Sequence, residues 1–181
     1  MSQKKVRYPE MAYIGRFNPQ HLGHESMIRM MLEMSERSIL FIGSATHPRS
    51  LRHFFSYEQR AMFLRKVFPE LKIVPLPDFN NNPLWIAEIN RLLMEANFDP
   101  DQTVFLGGCQ EEISVLIDEG QKPHHIVDRF SGKETLKVSA TEVRDALLTQ
   151  KFGKLRSMLN PLVRQDIITV WKTDFEEFKR Q

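Results

Sequence analysis

The first crossing from a predicted strand to a predicted helix carries the stretch Gly15-Arg16-Phe17-Asn18-Pro19-Gln20-His21-Leu22-Gly23-His24. Gly15 lets a ligand approach the backbone closely, Pro19 stiffens the turn, and Gly23 permits close contact where the helix begins. His24 lies at the start of that helix, where N–H groups without helical partners and the helix dipole favour an anion. Two histidines alone would more often cap or pack, but together with these glycines and the proline they predict a phosphate-binding turn.

Short apolar runs alternate with longer amphipathic ones along the chain, a pattern typical of an α/β protein with a parallel sheet. The predicted strands are Met11–Ile14, Ser38–Ile42, Lys72–Leu76, Thr103–Leu106 and His125–Val127. The predicted helices are His24–Glu36, Tyr57–Val67, Leu84–Asn97 and Gln110–Asp118, with short helices after Thr141. Because ligands of an open parallel sheet bind beyond the carboxyl ends of its strands, we expect the site at that edge.

The length of 181 residues suits one domain with a small appendage. We expect a single domain over residues 1–181, with a core at about 11–148 and a helical C-terminal part at about 149–181. A methionine stripe at helical spacing indicates a helix face packed on the sheet: Met27, Met30, Met31 and Met34. Apolar residues in the tail suit a helix packed on the domain or on a partner subunit: Ile167, Ile168, Trp171, Phe175 and Phe178.

Composition excludes several classes of protein. Lys and Arg number 25 against 23 Asp and Glu, and this net charge of +2 argues against a surface built to coat nucleic acid. A single cysteine, Cys109, allows no internal disulfide and no cysteine-based zinc site. No apolar run approaches the roughly 20 residues that cross a bilayer, and the polar segment Met1 to Arg7 shows no signal peptide. We therefore expect a soluble, cytoplasmic protein without a membrane partner.

Several common enzyme motifs are absent. Gly15 stands without the further glycines of a dinucleotide-binding fingerprint, and no P-loop stretch exists. Neither a His-Glu-x-x-His helix nor a Gly-x-Ser-x-Gly elbow is present. His124 and His125 are adjacent, so in a strand they point to opposite faces and are unsuited to joint metal binding. We predict no metal ion held by protein side chains.

A second motif lies far along the chain, Val138-Ser139-Ala140-Thr141-Glu142-Val143-Arg144. Ser139 is an N-cap candidate with Glu142 three residues on, which is a capping box at the mouth of a helix. These residues could merely start a helix, or their hydroxyls and N–H groups could hold phosphates with Arg144 beside them. The two interpretations are compatible, because a capped helix mouth is itself an anion site.

The two motifs together resemble the signatures of the nucleotidyltransferase superfamily whose hallmark is His-x-Gly-His. Within it, the chain is similar to nicotinamide mononucleotide (NMN) adenylyltransferases, and it resembles the N-terminal domain of bacterial enzymes that join this activity to a Nudix hydrolase. Because a chain of 181 residues leaves no room for it, we expect no Nudix domain here. The resemblance implies a Rossmann-like open parallel sheet with helices on both faces, the nucleotidyltransferase fold, and a small C-terminal helical extension.

The resemblance also implies roles for individual residues. The catalytic set is His21, His24, Arg16, Ser139, Thr141 and Arg144, and Gly15 and Arg52 join these residues in binding ATP. Arg52 lies in a basic segment. The stretch from Thr46 to Lys66 contains a single acid, Glu58, and five basic residues: Arg49, Arg52, Arg60, Arg65 and Lys66. A basic segment in a nearly neutral protein suits an anionic ligand.

The segment Pro77-Asp78-Phe79-Asn80-Asn81-Asn82-Pro83-Leu84-Trp85 resembles the one that recognises the nicotinamide end in that family. The resemblance assigns NMN binding to Asn82, Trp85 and Asp78. An indole stacks on a cationic pyridinium with a gain of roughly 0.5–2 kcal/mol, and an asparagine amide pairs with a carboxamide. The alternative is that Trp85 belongs to the core and that the asparagines are turn residues.

The reaction implied by the resemblance joins ATP and NMN to give NAD and pyrophosphate, by direct in-line attack of the NMN phosphate on the ATP α-phosphate. Mg²⁺ would be bound mainly through the ATP phosphates. ATP and NMN are the expected partners, nucleic acid is not, and the relatives suggest a homo-oligomer.

Several alternatives stay open at this point. The acceptor could be nicotinic acid mononucleotide, pantetheine phosphate or another phosphomonoester, CTP could replace ATP, or the chain could be a non-catalytic ATP- or NAD-sensing module. The chain also departs from the family pattern at Gln20, at His53-Phe54, at Gln59 and at Leu106-Gly107-Gly108.

Overall fold

The computed structural model describes residues 7–127 and 136–178. Its centre is a five-stranded parallel sheet in the order β3-β2-β1-β4-β5. The strands are β1 Tyr8–Gly15, β2 Ser35–Ile42, β3 Lys72–Pro75, β4 Val104–Gly107 and β5 His124–Ile126. The polar N-terminal segment noted above lies outside the described residues, apart from Arg7.

The strand order reverses beside β1, because chain progression runs one way to β2 and β3 and the other way to β4 and β5. Ligands of such sheets bind at this switch point, beyond the carboxyl ends of the strands. Alternate residues of β1 face opposite sides, with Met11 and Tyr13 in one buried cluster and Ala12 in the other. A layer of helices therefore covers each face of the sheet.

The described residues form six α-helices: α1 Leu22–Met34, α2 Tyr57–Val67, α3 Asn82–Glu95, α4 Ser114–Asp118, α5 Ala140–Leu148 and α6 Pro161–Phe178. Two 3₁₀ turns cover Glu111–Ile113 and Phe152–Ser157. Helices α1 and α2 pack on one face of the sheet, whereas α3 and α4 pack on the other. The predicted α/β class with helices on both faces is confirmed.

The predicted strands all exist, and α2 has the predicted bounds. Helix α1 begins before His24 because His21 caps it, and it ends at Met34 because Ser35 already pairs with Tyr8 of β1. The prediction of one helix over Gln110–Asp118 is wrong, since a 3₁₀ turn precedes the short α4. The prediction of only short helices after Thr141 is wrong as well, because α6 has 18 residues.

A third buried cluster joins the C-terminal helices to α2. Trp171 of α6 packs there with Phe54, Phe55 and Phe63, so the tail helix packs on the described chain itself. The methionine stripe of α1 faces the sheet as predicted, with Met27 and Met31 fully buried. Among residues 7–127 and 136–178, none of the helices combines the length and the apolar character that a membrane span requires.

Candidate active site

A cavity of about 880 Å³ opens beyond the carboxyl end of β1. Every residue assigned to the site from the sequence lines it: Gly15, Arg16, His21, His24, Arg52, Asp78, Asn82, Trp85, Ser139, Thr141 and Arg144. Segments far apart in the chain therefore meet at one place. We call the side formed by His21, His24, Ser139, Thr141 and Arg144 the α1–α5 rim. The side formed by Asn82, Trp85, Glu111 and Glu112 is the α3–α4 rim.

The mouth of α1 is organised by its two histidines. His21 is the N-cap, and its Nδ1 accepts from the His24 backbone N–H at 3.3 Å. Since Nδ1 accepts, Nε2 carries the proton of the neutral ring and is a hydrogen-bond donor. The two rings stack with centroids 3.7 Å apart, and the His24 ring lies 4.8 Å from that of Phe17. Side-chain packing thus holds both imidazoles in place before any ligand arrives.

The two glycines of the first motif lie against different neighbours, each of which leaves little room for a side chain. A Cβ on Gly15 would come 2.7 Å from the ring of Phe17, whose own φ is +50°. The Phe17 ring thus gives a second reason for glycine at this position, and the close approach of a ligand to Gly15, which lines the cavity, stays a prediction. A Cβ on Gly23 would come 2.9 Å from the Leu136 carbonyl oxygen and 3.0 Å from that of Val138. This close contact, predicted from the sequence, is with the segment that leads into α5.

The mouth of α5 carries the predicted capping box. The Ser139 backbone N–H donates to Glu142 Oε2 at 2.8 Å, and the Glu142 N–H donates to Ser139 Oγ at 3.2 Å. These bonds from the Ser139 side chain and backbone hold the pKa of Glu142 below its usual value. Ser139 Oγ also donates to Glu142, at 2.8 Å. The backbone N–H groups of Ala140 and Thr141 are thus the donors best placed for an anion at this mouth.

Arg144 connects the two motifs. Its Nη1 donates to the Asn18 carbonyl oxygen at 2.9 Å, and its Nη2 donates to Thr141 Oγ1 at 3.1 Å. Burial lowers the pKa of Arg144, and the positive charges of Arg16 and Arg52 lower it further. Three guanidinium groups therefore share one region of the cavity, where an anionic ligand would relieve their repulsion.

The basic segment after Thr46 contributes less to the cavity than its composition predicts, because Arg52 alone of its five basic residues lines it. Arg60 is 2% exposed and donates to the carbonyl oxygens of Arg16, Gly43 and Ser44 at 2.7–3.0 Å. Burial lowers the pKa of Arg60. Its guanidinium brackets the ends of β1 and β2, so the interpretation of this residue as part of an anion-binding loop is corrected.

Two more members of that segment are engaged elsewhere. Arg49 pairs with Asp174 at 2.7 Å, and Lys66 pairs with Asp166 at 2.5 Å. Both acids belong to α6. The basic segment therefore helps to hold the C-terminal helix on the domain as well as contributing Arg52 to the cavity.

The α3–α4 rim begins with the predicted asparagines. Asn81 caps α3 by accepting from the Leu84 N–H at 2.9 Å, and Asn82 is the first helical residue rather than a loop residue. The Asn82 Nδ2 group donates to Glu119 at 2.5 Å. Trp85 is half-buried against the core cluster of α3 and α4 while it also lines the cavity. The core and ligand interpretations of Trp85 are thus both compatible with its position.

Asp78 lines the cavity, and its Oδ1 accepts from Ser44 Oγ at 3.1 Å. Glu111 and Glu112 were not anticipated from the sequence. Glu112 Oε2 accepts from the Gly108 N–H at 3.0 Å, which places this acid beside the end of β4. The signal that could have found both acids is their position three and four residues after Gly108, shortly beyond the end of a predicted strand.

No group of three or more His, Cys, Asp and Glu side chains in the described parts of the chain is arranged to hold a metal ion. Three acids, Asp78, Glu111 and Glu112, line the same cavity as the basic residues Arg16, Arg52 and Arg144. The cavity is therefore suited to a ligand with a strongly anionic part and a second part of different charge.

Comparison with known proteins bears on this site. A nicotinamide-nucleotide adenylyltransferase from Haloarcula marismortui is 30% identical over 126 residues, which cover 67% of this chain and 66% of that protein. One of the same name from Archaeoglobus fulgidus is 32% identical over 87 residues, 42% of this chain and 50% of that protein. The aligned parts thus span only about half to two thirds of these curated relatives.

Among solved structures, a bifunctional NMN adenylyltransferase/ADP ribose pyrophosphatase from Francisella tularensis matches with a TM-score of 0.72 and 21% identity. The match covers 96% of this chain and 54% of that protein. A second structure of that enzyme, complexed with AMP and a manganese ion, matches with a TM-score of 0.69. At this identity, the likeness establishes the nucleotidyltransferase fold.

The model of the cytidylyltransferase-like family matches residues 12–146, which include both motifs and every residue that lines the cavity. The resemblance drawn from the two motifs is confirmed. This chain belongs to the cytidylyltransferase-like family.

Proposed function

We propose that the protein transfers the adenylyl group of ATP to NMN, giving NAD and pyrophosphate. The observation that carries this proposal is the meeting of two helix mouths, α1 at His21 and α5 at Ser139, beside Arg16, Arg52 and Arg144. Such a concentration of donors and positive charge suits a triphosphate. The names of the archaeal relatives support the same reaction.

The chemistry needs positioning and charge stabilisation more than proton transfer. The phosphate of NMN is an anionic oxygen nucleophile at neutral pH, so no protein base is required. As its oxygen bonds to the α-phosphorus, the bond to the bridging oxygen breaks and its electrons leave with pyrophosphate. His21, His24 and Arg144 would stabilise the charge that develops on the leaving group.

A divalent ion fits this site through its ligand. The described residues offer no carboxylate cluster for one, so we propose that Mg²⁺ is held mainly by ATP phosphate oxygens and water. When bound, it neutralises phosphate charge. The side chains of the α1–α5 rim would bind the phosphate oxygens that the ion leaves open.

The charge of the α3–α4 rim favours NMN as the acceptor. Glu111 and Glu112 line this side, and they would attract a cationic pyridinium but repel the carboxylate of nicotinic acid mononucleotide. The orientation of the Asn82 amide is fixed by Glu119. Because a carboxylate only accepts hydrogen bonds, the Asn82 NH₂ group must face it. The Asn82 amide oxygen would then accept from the carboxamide, whereas an acid has no N–H to donate.

A product assay tests the proposal. With ATP, Mg²⁺ and NMN we expect NAD and pyrophosphate in equal amounts, and slower pyrophosphate release with nicotinic acid mononucleotide, with pantetheine phosphate or with CTP in place of ATP. Tight NAD binding without pyrophosphate from any acceptor would contradict the proposal and identify a nucleotide sensor. The single-domain organisation of residues 1–181, the cytoplasmic location and the homo-oligomer stay predictions.

A further inference from the structure

A short loop carries Arg52 to the cavity. This loop, residues 49–55, is part of the connection from β2 to α2, and we call it the Arg52 loop. It closes on itself, because Ser50 N–H donates to the His53 carbonyl oxygen at 3.2 Å and His53 N–H donates to Ser50 Oγ at 3.1 Å. Arg52 and its neighbour Leu51 are exposed at the tip. The position of Arg52 therefore depends on what anchors the two ends of the loop.

The first anchor is Asp174 of α6. Its Oδ2 accepts from Arg49 Nη2 at 2.7 Å and from Gln59 Nε2 at 2.7 Å. The Asp174 side chain is 15% exposed, so these charge-assisted bonds are partly shielded from solvent. One carboxylate of the C-terminal helix thus holds both the start of the loop and the first turn of α2.

Arg49 also connects Asp174 to the far end of the loop. Its Nε donates to the Phe54 carbonyl oxygen at 2.8 Å, and its guanidinium lies 5.2 Å from the centroid of the Phe54 ring. Phe54 is 1% exposed, and its ring lies 4.0 Å from that of Trp171. Both ends of the loop are thereby tied to α6.

The second anchor joins the loop to the phosphate-binding turn. Phe55 N–H donates to Asn18 Oδ1 at 3.1 Å, and Asn18 Nδ2 donates to the Phe55 carbonyl oxygen at 3.3 Å. The Asn18 carbonyl oxygen in turn accepts from Arg144. The Arg52 loop is consequently suspended between α6 on one side and the α1–α5 rim on the other.

Gln59 is the residue type that this arrangement requires. Its Oε1 accepts from the Ser56 N–H at 3.0 Å in the capping box of α2, while its Nε2 donates to Asp174. A glutamate at this position could complete the capping box but could not donate to Asp174. The amide therefore links the cap of α2 to the C-terminal helix.

We propose that Asp174 is a positioning residue for the reaction, which holds Arg52 towards the phosphates of the substrates through Arg49 and Gln59. Helix α6 lies beyond residue 146, where the family match ends, so nothing in the family assignment covers this role. The inference rests on the proposed function for its readout. It places part of the control of substrate affinity in a helix that does not line the cavity.

A matched pair of variants in α6 tests the inference. Asp174→Ala removes the anchor, whereas Asp166→Ala removes the exposed pair with Lys66, which also joins α6 to α2 but has no bond to the loop. We expect Asp174→Ala to raise the KM for ATP or NMN about tenfold, with a smaller change in kcat, and Asp166→Ala to leave both constants near those of the wild type. Equal KM values for the two variants would overturn the inference.

A double variant separates positioning from general destabilisation. If Asp174 acts through Arg52, Asp174→Ala adds no further rise in KM to the Arg52→Ala variant. Multiplying effects of the two substitutions would show that Asp174 acts by another route and would overturn the inference.

An exchange of the amide and the carboxylate between positions 59 and 174 covers the case in which Asp174→Ala does not fold. Gln59→Glu keeps the capping box but opposes Asp174, so it should raise KM as well, and adding Asp174→Asn should restore it because an asparagine amide can donate to the new carboxylate. Failure of this rescue would overturn the inference.

The readout also separates this inference from the proposed function. If the wild type releases no pyrophosphate with any acceptor, the proposed function is wrong. In that case the same variants are compared by the dissociation constant for ATP, measured by titration calorimetry. A weaker ATP affinity for Asp174→Ala than for Asp166→Ala would still support the positioning role, and equal affinities would overturn it.

Discussion

The two rims of the cavity differ in both charge and construction. On the α1–α5 rim, His21 is 2% exposed, the histidine rings stack, and Arg144 is bonded to the neighbouring turn. On the α3–α4 rim, Asn82, Glu111 and Glu112 are exposed, and Trp85 is half-buried. The first rim thus combines a packed pair of histidines with a hydrogen-bonded guanidinium, whereas the second is exposed and acidic.

This difference matches what each half of the proposed reaction needs. Stabilising charge on a leaving pyrophosphate depends on donors that are in place before the reaction, because reorganisation at that moment costs rate. Recognising a flat, cationic ring depends on stacking and on charge, for which exposed side chains suffice. We therefore expect substitutions in the first rim to lower kcat and those in the second to raise the KM for one substrate.

The largest effect is expected for His24→Ala on the α1–α5 rim. Loss of one preorganised donor lowers the rate by a factor of roughly 10²–10³. Steady-state kinetics with ATP and NMN measures it, and His124→Ala, at an exposed residue of β5, is the control. A His24→Ala variant within about tenfold of the wild type would contradict the role assigned to this rim.

An intermediate effect is expected for Trp85→Ala on the α3–α4 rim. Loss of stacking on the pyridinium should raise the KM for NMN about tenfold and leave the KM for ATP closer to that of the wild type. Leu84→Ala, at an exposed neighbour that does not line the cavity, is the matched control. If both KM values rise equally, Trp85 serves the core and the two rims do not divide the substrates.

The smallest effect concerns the buried support of the α1–α5 rim. Glu25 is 2% exposed and accepts from Asn160 at 2.7 Å and from Gln20 at 3.4 Å. Burial raises the pKa of Glu25 above 4.5, so the folded state binds its proton more tightly than the unfolded state does. This contribution to stability is complete below pH 4.5 and is lost as the pH rises through the raised pKa.

Urea unfolding at a series of pH values on both sides of 4.5 measures this loss and the effect of the control. We expect the Glu25→Gln variant to lack the part of the downward slope that Glu25 causes in the wild type. Glu142→Gln is a control of opposite sign, because the lowered pKa of Glu142 stabilises the fold above pH 4.5 and ceases to do so as the pH falls. Identical slopes for the wild type and Glu25→Gln would refute the prediction.

Local patterns predicted most of the elements, and the residues assigned to the site from the sequence all line the cavity. Helix α2 and the capping box at Ser139 depend on neighbours within a few positions, so their spacing suffices to find them. The split before α4 was missed because only packing of Ile113 and Leu116 against the sheet decides where that segment turns.

The role of Arg60 was also missed, and for a related reason. Arg60 donates to three carbonyl oxygens at two strand ends. A basic residue indicates an anionic ligand only when no group of the protein already accepts its hydrogen bonds. The carbonyl oxygens that accept from Arg60 belong to the backbone, so no pattern of side chains reveals them.

The sequence alone determined the α/β class and the two motifs, and it indicated many of the residues that line the cavity, because hydrophobic period and helix capping are local properties of the chain. Tertiary structure decided that Gly23 lies against the carbonyl oxygens before Ser139, that Arg60 is a bracket, and that Asp174 anchors the Arg52 loop. These contacts join residues far apart in the chain, and their geometry exists only once the sheet and its helices have packed.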